Sequence, residues 1–208
     1  MKLSEIKQRI CWVILSMIVT GCTLIDGHVN LSYQPEAESK SPLSTISSLL
    51  LRVEVYDQRP TIEKYIVGYK KGGFGNVLAS VKTNQDIPSV LRQALEAELR
   101  SNGHAILTKS AATADVTLAV QLKRYWTEPT VRFFDVQVLG TLNANVEILD
   151  TKDQLISSRL ISGTSVESWQ LAVDEAYESV LNGALREFVR NLARDSTIIK
   201  VLRSVPSK

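Results

Sequence analysis

The sequence contains few of the residues that support covalent cross-links or common catalytic chemistry. Its 208 residues include two cysteines, Cys11 and Cys22, and two histidines, His28 and His104. Cys11 lies in an N-terminal segment whose removal is predicted below, so the mature chain has one thiol and no intrachain disulfide. No Ser-His-Asp arrangement and no metal-ligand spacing can be read from the sequence. The sequence therefore indicates no enzyme, no cofactor and no metal site.

A strong excess of charge of either sign is also lacking. The formal net charge is +2, from 24 basic and 22 acidic side chains. Residues 1–21 carry three of the basic groups and one of the acidic groups, so 21 of each remain in the rest of the chain. Binding to nucleic acid depends on clustered positive charge. A chain with equal numbers of basic and acidic groups gives no basis for predicting that it binds nucleic acid.

The N-terminal segment has the pattern of a secretory signal. Three basic residues stand within the first nine positions, and the apolar run over residues 10–19 is interrupted only by Ser16. This run is too short to cross a bilayer, which requires about 20 apolar residues. We therefore predict a signal peptide over residues 1–21.

The residues that follow the apolar run indicate how the chain is anchored. Thr20 and Gly21, both small, stand directly before Cys22, and this arrangement resembles the lipobox of bacterial lipoproteins. In that family the cysteine thiol receives a diacylglycerol, the preceding bond is cut, and a fatty acid such as palmitate acylates the new amino terminus. The resemblance implies a lipid on Cys22, and Thr23 in place of Asp implies export to the outer membrane. The alternatives are an uncleaved anchor and a plain signal with a coincidental cysteine.

Composition divides the rest of the chain into two parts. Residues 22–47 are rich in Ser, Pro and Glu, and we predict that they form the lipidated N-terminus and a flexible tether with a reach of about 25–30 Å. Within it, Val29, Leu31 and Tyr33 alternate with polar residues, so a short strand is an alternative. Residues 48–208 are predicted to form one domain, since a chain of this length normally folds around a single core.

Hydrophobic periodicity predicts an α+β fold. Apolar and polar residues alternate most clearly between Val136 and Ile148, which is typical of a strand in a sheet with one wet face. Two stretches have apolar residues at helical spacing: one follows a cap at Asp86 and ends at Gly103, and the other spans residues 170–193. Both apolar stripes are buried if the two helices pack on the same face of a sheet. We therefore predict a two-layer sandwich of a mainly antiparallel sheet with two helices on one face.

A glycine-rich stretch between Gly68 and Gly75 suggests a phosphate-binding loop at first sight. It contains four glycines. It lacks the Gly-Lys-Ser/Thr ending of a P-loop, and no predicted helix begins at its last glycine. A mobile hairpin loop is therefore the favoured interpretation.

Four aromatic residues flank a second predicted hairpin tip. Tyr125-Trp126 and Phe133-Phe134 stand on either side of residues 127–130. If the four rings gather at the tip, they form a candidate surface for a protein partner or lipid. The alternative, packing of the rings at one end of the core, is favoured because aromatic residues beside strands are usually buried.

Short pieces of sequence occur in a fixed order along the domain: Val55-Tyr56-Asp57-Gln58-Arg59, Gly68, Asn102-Gly103, Ala114-Asp115-Val116-Thr117-Leu118 and Arg194-Asp195-Ser196-Thr197-Ile198. Together, over about residues 49–202, they resemble the YajG-type family of bacterial lipoproteins. The resemblance implies an outer-membrane lipoprotein that faces the periplasm, and it supplies no catalytic residues. Alternating residues predict a strand from Leu49 to Tyr56, and Asp57 and Arg59 are predicted to pair and to fix the corner after it.

Two non-enzymatic functions remain open at this point. One is a lipid-anchored module that binds a protein or another component of the cell envelope. The other is an accessory subunit of an envelope transport or assembly machine, similar in role to LptE-type lipoproteins, although no specific motif indicates it. A hydrolase is a third and weaker alternative, because carboxylates can meet through tertiary contacts.

Overall fold

The protein has an α+β fold built on one eight-stranded sheet. The computed structural model describes residues 25–35, 40–61, 64–108 and 113–206. The strands are β1 (Gly27–His28), β2 (Leu50–Asp57), β3 (Ile66–Lys71), β4 (Val77–Lys82), β5 (Ala105–Ile106), β6 (Val116–Val131), β7 (Val136–Leu149) and β8 (Leu155–Trp169). The helices are α1 (Ile87–Ser101), α2 (Asp174–Arg194) and α3 (Ser196–Ser204), with a short 3-10 helix at Pro42–Thr45.

The long strand β6 is the centre of the sheet. On one side it pairs with the antiparallel strand β7, which in turn pairs with β8. On its other side β6 pairs in parallel first with β2 and then with β3, so these two strands lie end to end. The sheet continues beyond β2 through β5, and beyond β3 through β4 and then β1.

The sheet is mixed. Most of its paired residues lie in the antiparallel ladders β6–β7, β7–β8 and β3–β4, in agreement with a mainly antiparallel sheet, but the prediction did not include the parallel pairings. Four of the seven strand pairings are parallel: β1 with β4, β2 with β5, β2 with β6, and β3 with β6. Local alternation of apolar and polar residues shows that a segment is a strand, but it carries no information on the direction of its neighbours.

Helix α1 has the boundaries that its sequence signals predict. The side chain of Asp86 accepts a hydrogen bond from the backbone N–H of Ser89 at 3.1 Å, and Pro88 lies in the first turn. After the last turn, Gly103 adopts a φ of 92°, a left-handed conformation that glycine adopts without strain. The apolar stripe of α1 is buried and packs on β2.

Helix α2 packs closely on β7 and β8. Its apolar stripe is buried, and the contact is close because glycines of the sheet lie beneath it. A Cβ atom on Gly140 would overlap the carbonyl oxygen of Val180, and one on Gly163 would overlap that of Ala184. These two glycines therefore set the distance between the helix and the sheet.

The segment predicted to be a flexible tether is packed into the fold wherever the structure describes it. Val29 and Leu31 are buried, and so is Leu43 in the 3-10 helix. The backbone N–H of Ser32 donates a hydrogen bond to the side-chain oxygen of Asn182 in α2 at 2.9 Å. The tether prediction is therefore corrected for residues 25–35 and 40–47, because their alternating apolar residues contribute to the core.

The predicted signal peptide and Cys22 lie outside the described residues. The described chain begins at Ile25, three positions after this cysteine. None of the helices within the described ranges is long and apolar enough to span a membrane.

Candidate functional site

The favoured interpretation, packing of the four aromatic rings at one end of the core, is confirmed for Tyr125 and wrong for Phe133 and Phe134, which are exposed. β6 continues to Val131, so the turn lies at residues 132–135 rather than at 127–130. Tyr125 is 1% exposed, and its hydroxyl donates a hydrogen bond to the carbonyl oxygen of Leu181 at 3.1 Å. Burial raises the pKa of this phenol. Tyr125 is a core residue, as the favoured alternative predicts.

Trp126 lies on the opposite face of the sheet, because neighbouring residues of a strand point to opposite faces. It is half-buried and makes an edge-to-face contact with Tyr69 of β3, with ring centroids 5.2 Å apart. The two rings line a cleft of 270 Å³, whose rim includes Arg124 and the ion pair between Lys71 Nζ and Glu128 Oε1 at 2.6 Å. The hydrogen bond from Lys71 is the main cause that holds the pKa of Glu128 below its usual value.

Phe133 and Phe134 lie in the turn between β6 and β7, and both are exposed to solvent. Their exposed fractions are 92% and 86%, and the rings contact each other edge to face at 4.6 Å between centroids. The turn is closed by the backbone N–H of Arg132, which donates to the carbonyl oxygen of Asp135 at 2.8 Å. These two rings are therefore presented outward by an ordered turn.

The directions of the strands bring this turn to the same end of the molecule as three other connections. We call it the loop end and define it as residues 25–26 before β1, the β3–β4 turn (72–76), the β6–β7 turn (132–135) and the β8–α2 connection (170–173). Strand pairings link these segments in order, from β1 through β4, β3, β6 and β7 to β8. The Phe133–Phe134 pair therefore belongs to a larger exposed surface.

Sequence reasoning missed the rest of this surface. Ile25, Phe74, Leu171 and Val173 are also exposed apolar side chains of the loop end. They lie in three separate connections, and no helical or strand period marks them as one surface. These residues can be recognised as one surface only from their shared position in the fold, and that position follows from the strand directions.

The glycine-rich stretch forms the β3–β4 hairpin, and the hairpin prediction is confirmed. Its turn is closed by the N–H of Gly72, which donates to the carbonyl oxygen of Asn76 at 2.9 Å. Gly68 lies within β3 rather than in the turn, and a Cβ on it would overlap the side chain of Thr127. Gly68 thus allows β3 to approach β6 closely, which explains a glycine at this position without a phosphate ligand.

The predicted pair of Asp57 and Arg59 is confirmed at the end of β2. Arg59 Nη2 lies 2.7 Å from Asp57 Oδ2, and Arg59 Nε donates to Oδ1 at 2.9 Å. Burial tends to raise the pKa of Asp57, but the hydrogen bonds from Arg59 outweigh it and hold the pKa below its usual value. The guanidinium is buried, so the pair fixes the chain after β2.

Two further groups with shifted pKa values, His104 and Tyr177, lie in the core rather than in a cleft. Burial lowers the pKa of His104, whose Nδ1 accepts a hydrogen bond from the N–H of Leu49 at 3.3 Å. Burial likewise raises the pKa of Tyr177 to about 12. Within the described ranges, no group of three or more His, Cys, Asp or Glu residues is placed to hold a metal ion. These shifts are consequences of packing.

The structure is similar to solved structures of bacterial proteins. A protein from Xanthomonas campestris is 15% identical with a TM-score of 0.58, over 86% of this chain and 98% of that chain, which shows a similar fold. A minor lipoprotein from Acinetobacter baumannii is 13% identical with a TM-score of 0.40, over 71% of this chain and 92% of that one. A lipoprotein from Neisseria meningitidis is 11% identical with a TM-score of 0.33, over 58% and 85% of the two chains.

Sequence comparison identifies the family. No curated protein matches the chain. A family model described as "Uncharacterized lipoprotein" matches residues 35–203, which is most of the chain. The match includes the pieces of sequence on which the resemblance rested, from Val55 to Ile198. The protein therefore belongs to the YajG-type family of uncharacterised bacterial lipoproteins.

Proposed function

We propose that the protein is anchored in the outer membrane by acyl chains on Cys22, faces the periplasm, and binds a component of the cell envelope without catalysing a reaction. The observation that carries the proposal is membership of a lipoprotein family in a chain with small-small-Cys after a short apolar run. Cys22 is also the last cysteine of the sequence, so it is the one thiol available to a lipid after removal of residues 1–21.

Metabolic labelling with a palmitate analogue tests the anchor. We expect Cys22→Ser to abolish incorporation and to leave the precursor uncut, because the acylated sulfur is missing. Cys11→Ser is the matched control, since it changes the other cysteine of the chain and should keep full labelling. Unchanged incorporation in Cys22→Ser would contradict the proposal.

The destination of the lipoprotein is tested separately at the next position. Thr23→Asp places an acidic residue directly after the acylated cysteine, and we expect it to retain the protein in the inner membrane. Thr23→Asn has a similar size without the charge and should leave the protein in the outer membrane. Separation of the two membranes on a density gradient measures the result, and recovery of the Thr23→Asn variant in the inner membrane would refute the outer-membrane assignment.

Binding through the exposed face of the sheet is supported by the cleft between Tyr69 and Trp126. Aromatic walls and a charged rim are features of surfaces that accept a protein or ligand group. A photo-crosslinking residue at Trp126 in intact cells, followed by mass spectrometry, identifies the neighbour. The same residue at Lys152, in the turn between β7 and β8, is the control for non-specific adducts.

An accessory role in a transport or assembly machine is the second candidate, and strand β8 favours it. This 15-residue strand pairs with β7 on one side, and no other described strand pairs with its outer edge. Leu160 and Val166 on it are exposed. A long edge strand with exposed apolar side chains is a template for the addition of a partner strand.

The same crosslinking experiment distinguishes the two candidates. If a crosslinker at Leu160 captures components of lipopolysaccharide assembly, the accessory role is correct. Adducts at Trp126 with other envelope components support the binding module. If neither position gives adducts above those at Lys152, the binding role itself is refuted.

A further inference from the structure

We propose that the loop end is a membrane-contact surface. Its apolar tips lie in the headgroup region of the bilayer that holds the acyl chains of Cys22, so the domain stands on the membrane. The inference rests on the proposed function, because it takes Cys22 as the point at which the chain is anchored in the membrane. It goes further by assigning a lipid surface as the ligand of particular side chains.

Six exposed apolar side chains are concentrated at the loop end. They come from four segments that are distant in sequence: Ile25, Phe74, Phe133, Phe134, Leu171 and Val173. Phenylalanine tips with this exposure leave large rings in water, which is unfavourable unless a partner or a lipid covers them. Aromatic rings at the ends of a fold are well suited to the interface between headgroups and hydrocarbon.

The N-terminal chain enters the fold at this same end. Asp26 accepts hydrogen bonds from the backbone N–H of Ser80 and from Lys82 Nζ, beside β4. The next residue, Gly27, begins β1, which runs parallel to β4 from the side of the β3–β4 turn. The described chain therefore begins at the β1 edge of the sheet, on the side of β1 that points toward the β3–β4 turn.

Ion pairing at the start of α2 fixes this entry point. Lys70 Nζ lies 2.8 Å from Asp174 Oδ1, and the N–H of His28 donates to Asp174 Oδ2 at 3.2 Å. A Cβ on Gly27 would crowd both side chains of this pair, so the chain passes directly against it. These contacts with Lys70 of β3 and Asp174 of α2 therefore fix the position of residues 26–28.

The remaining distance to the anchor is short. Cys22 and Asp26 are four residues apart, and an extended chain of that length spans at most about 14 Å. The headgroup region on each side of a bilayer is itself about 5–7 Å thick. Acyl chains inserted at Cys22 therefore keep the loop end within reach of the headgroups, in contrast to the long tether that the sequence predicts.

The charges at this end favour a lipid interface held by apolar contact. Lys71 pairs with Glu128, Lys82 with Asp26, and Lys70 with Asp174. Arg132 and Asp135 add one charge of each sign at the Phe133–Phe134 turn, and Glu175 adds one negative charge. The loop end has no positive excess to attract anionic headgroups, so its contact should be insensitive to salt.

Spin labelling of the acylated full-length protein tests the contact. A nitroxide is attached at Phe133→Cys and, as the control at the opposite end, at Lys152→Cys, and the protein is placed in vesicles of phosphatidylethanolamine and phosphatidylglycerol. Collisions with a water-soluble nickel chelate measure exposure. We expect the collision rate at position 133 to fall at least about threefold on vesicle binding, at low and high salt alike, with no change at position 152.

A second set of variants shows whether the rings themselves make the contact. The triple variant Phe74→Ser, Phe133→Ser and Phe134→Ser carries its label at Gly73→Cys, which lies in an open part of the β3–β4 turn. We expect this label to be shielded in the protein with all three phenylalanines and to regain water exposure in the triple variant. Leu155→Ser with Ile156→Ser removes exposed apolar side chains at the other end and should leave the shielding intact.

The possible outcomes separate this inference from the proposed anchor. If the protein stays on vesicles through its acyl chains but positions 133 and 152 are equally exposed, the membrane-contact surface is refuted and the anchor stands. Shielding that requires proteins from native membranes also refutes it, in favour of a protein partner. If the chain carries no fatty acid but position 133 is still shielded by vesicles, the anchor fails and the contact surface is supported.

Discussion

The two turns at the ends of β7 close similar hairpins with different side chains. The turn that leads from β7 to β8 is polar, and Asp150 Oδ1 accepts hydrogen bonds from the N–H groups of Lys152 at 2.8 Å and Gln154 at 2.9 Å. The turn that leads from β6 into β7 is closed by backbone atoms and points Phe133 and Phe134 into solvent. The first turn uses its side chains for folding, whereas the second has exposed rings that folding does not require.

This contrast separates residues that stabilise the fold from residues that are available for contact with a membrane or another molecule. A hairpin turn is stabilised by residues that satisfy backbone groups, such as Asp150. Exposed phenylalanines add no comparable stabilisation. Substitutions at buried positions and at the loop end should therefore differ in their effect on the free energy of unfolding.

The largest difference is expected between two glycines. Gly163→Ala places a methyl group against the backbone of α2, and we expect a loss of about 3 kcal/mol or more in the free energy of unfolding. Gly73→Ala, in the β3–β4 turn, meets no atom within 4 Å and should change stability by less than about 0.5 kcal/mol. Urea denaturation measures both, and equal losses would show that the loop end is constrained by packing.

A smaller effect is expected where the loop end joins the core. Asp174→Ala removes the partner of the buried Lys70 ammonium and the acceptor of the His28 N–H, so we expect a loss of about 1–2 kcal/mol after allowance for its partial exposure. Glu175→Ala is the control in the same turn of α2. Hydrogen exchange should also become faster at residues 27–31 in Asp174→Ala alone, and unchanged exchange would contradict the docking of this segment.

The loss of one buried hydrogen bond should lower the free energy of unfolding by less than Asp174→Ala does. Tyr125→Phe removes the donor to the Leu181 carbonyl oxygen in the core, and we expect a loss of about 1 kcal/mol. The control is Tyr56→Phe, which removes an exposed hydrogen bond to Glu54 and should have little effect. Thermal unfolding compares them, and a neutral Tyr125→Phe would show that the bond contributes nothing.

The smallest effect is expected at the exposed rings. Phe133→Ser with Phe134→Ser should change the free energy of unfolding by less than about 0.5 kcal/mol, because both side chains are in solvent. Asp150→Ala, in the opposite turn, should destabilise the protein more, because two backbone N–H groups lose their acceptor. If Phe133→Ser with Phe134→Ser destabilises the protein more than Asp150→Ala does, the contrast between the two turns is wrong.

Local elements could be read from the sequence because their signals are local. The alternating stretch from Val136 to Ile148 is in β7, and the helix capped at Asp86 is α1. Asp195 caps α3 in the same local way, because its Oδ1 accepts hydrogen bonds from the N–H groups of Thr197 and Ile198. In each case a pattern within a few residues carries the information.

Features that depend on distant parts of the chain could not be read in this way. The parallel pairing of β2 with β6 spans α1 and three other strands, and no nearby residue marks it. The interpretation of residues 22–47 as a tether followed from composition, but Asn182 and Glu178 of α2 hold this segment from about 150 positions away. The candidate surface is likewise an assembly of single residues that only the strand directions bring together.

The central strand β6 determines how far this domain can extend from its anchor and which way its other surfaces face. Sixteen residues of strand span about 50 Å. With the loop end on the bilayer, as proposed, the strands stand upright, and the polar turn after β7 lies at the end of the molecule that faces away from the membrane. The Tyr69–Trp126 cleft and the free edge of β8 then face sideways, toward neighbours that share the same membrane.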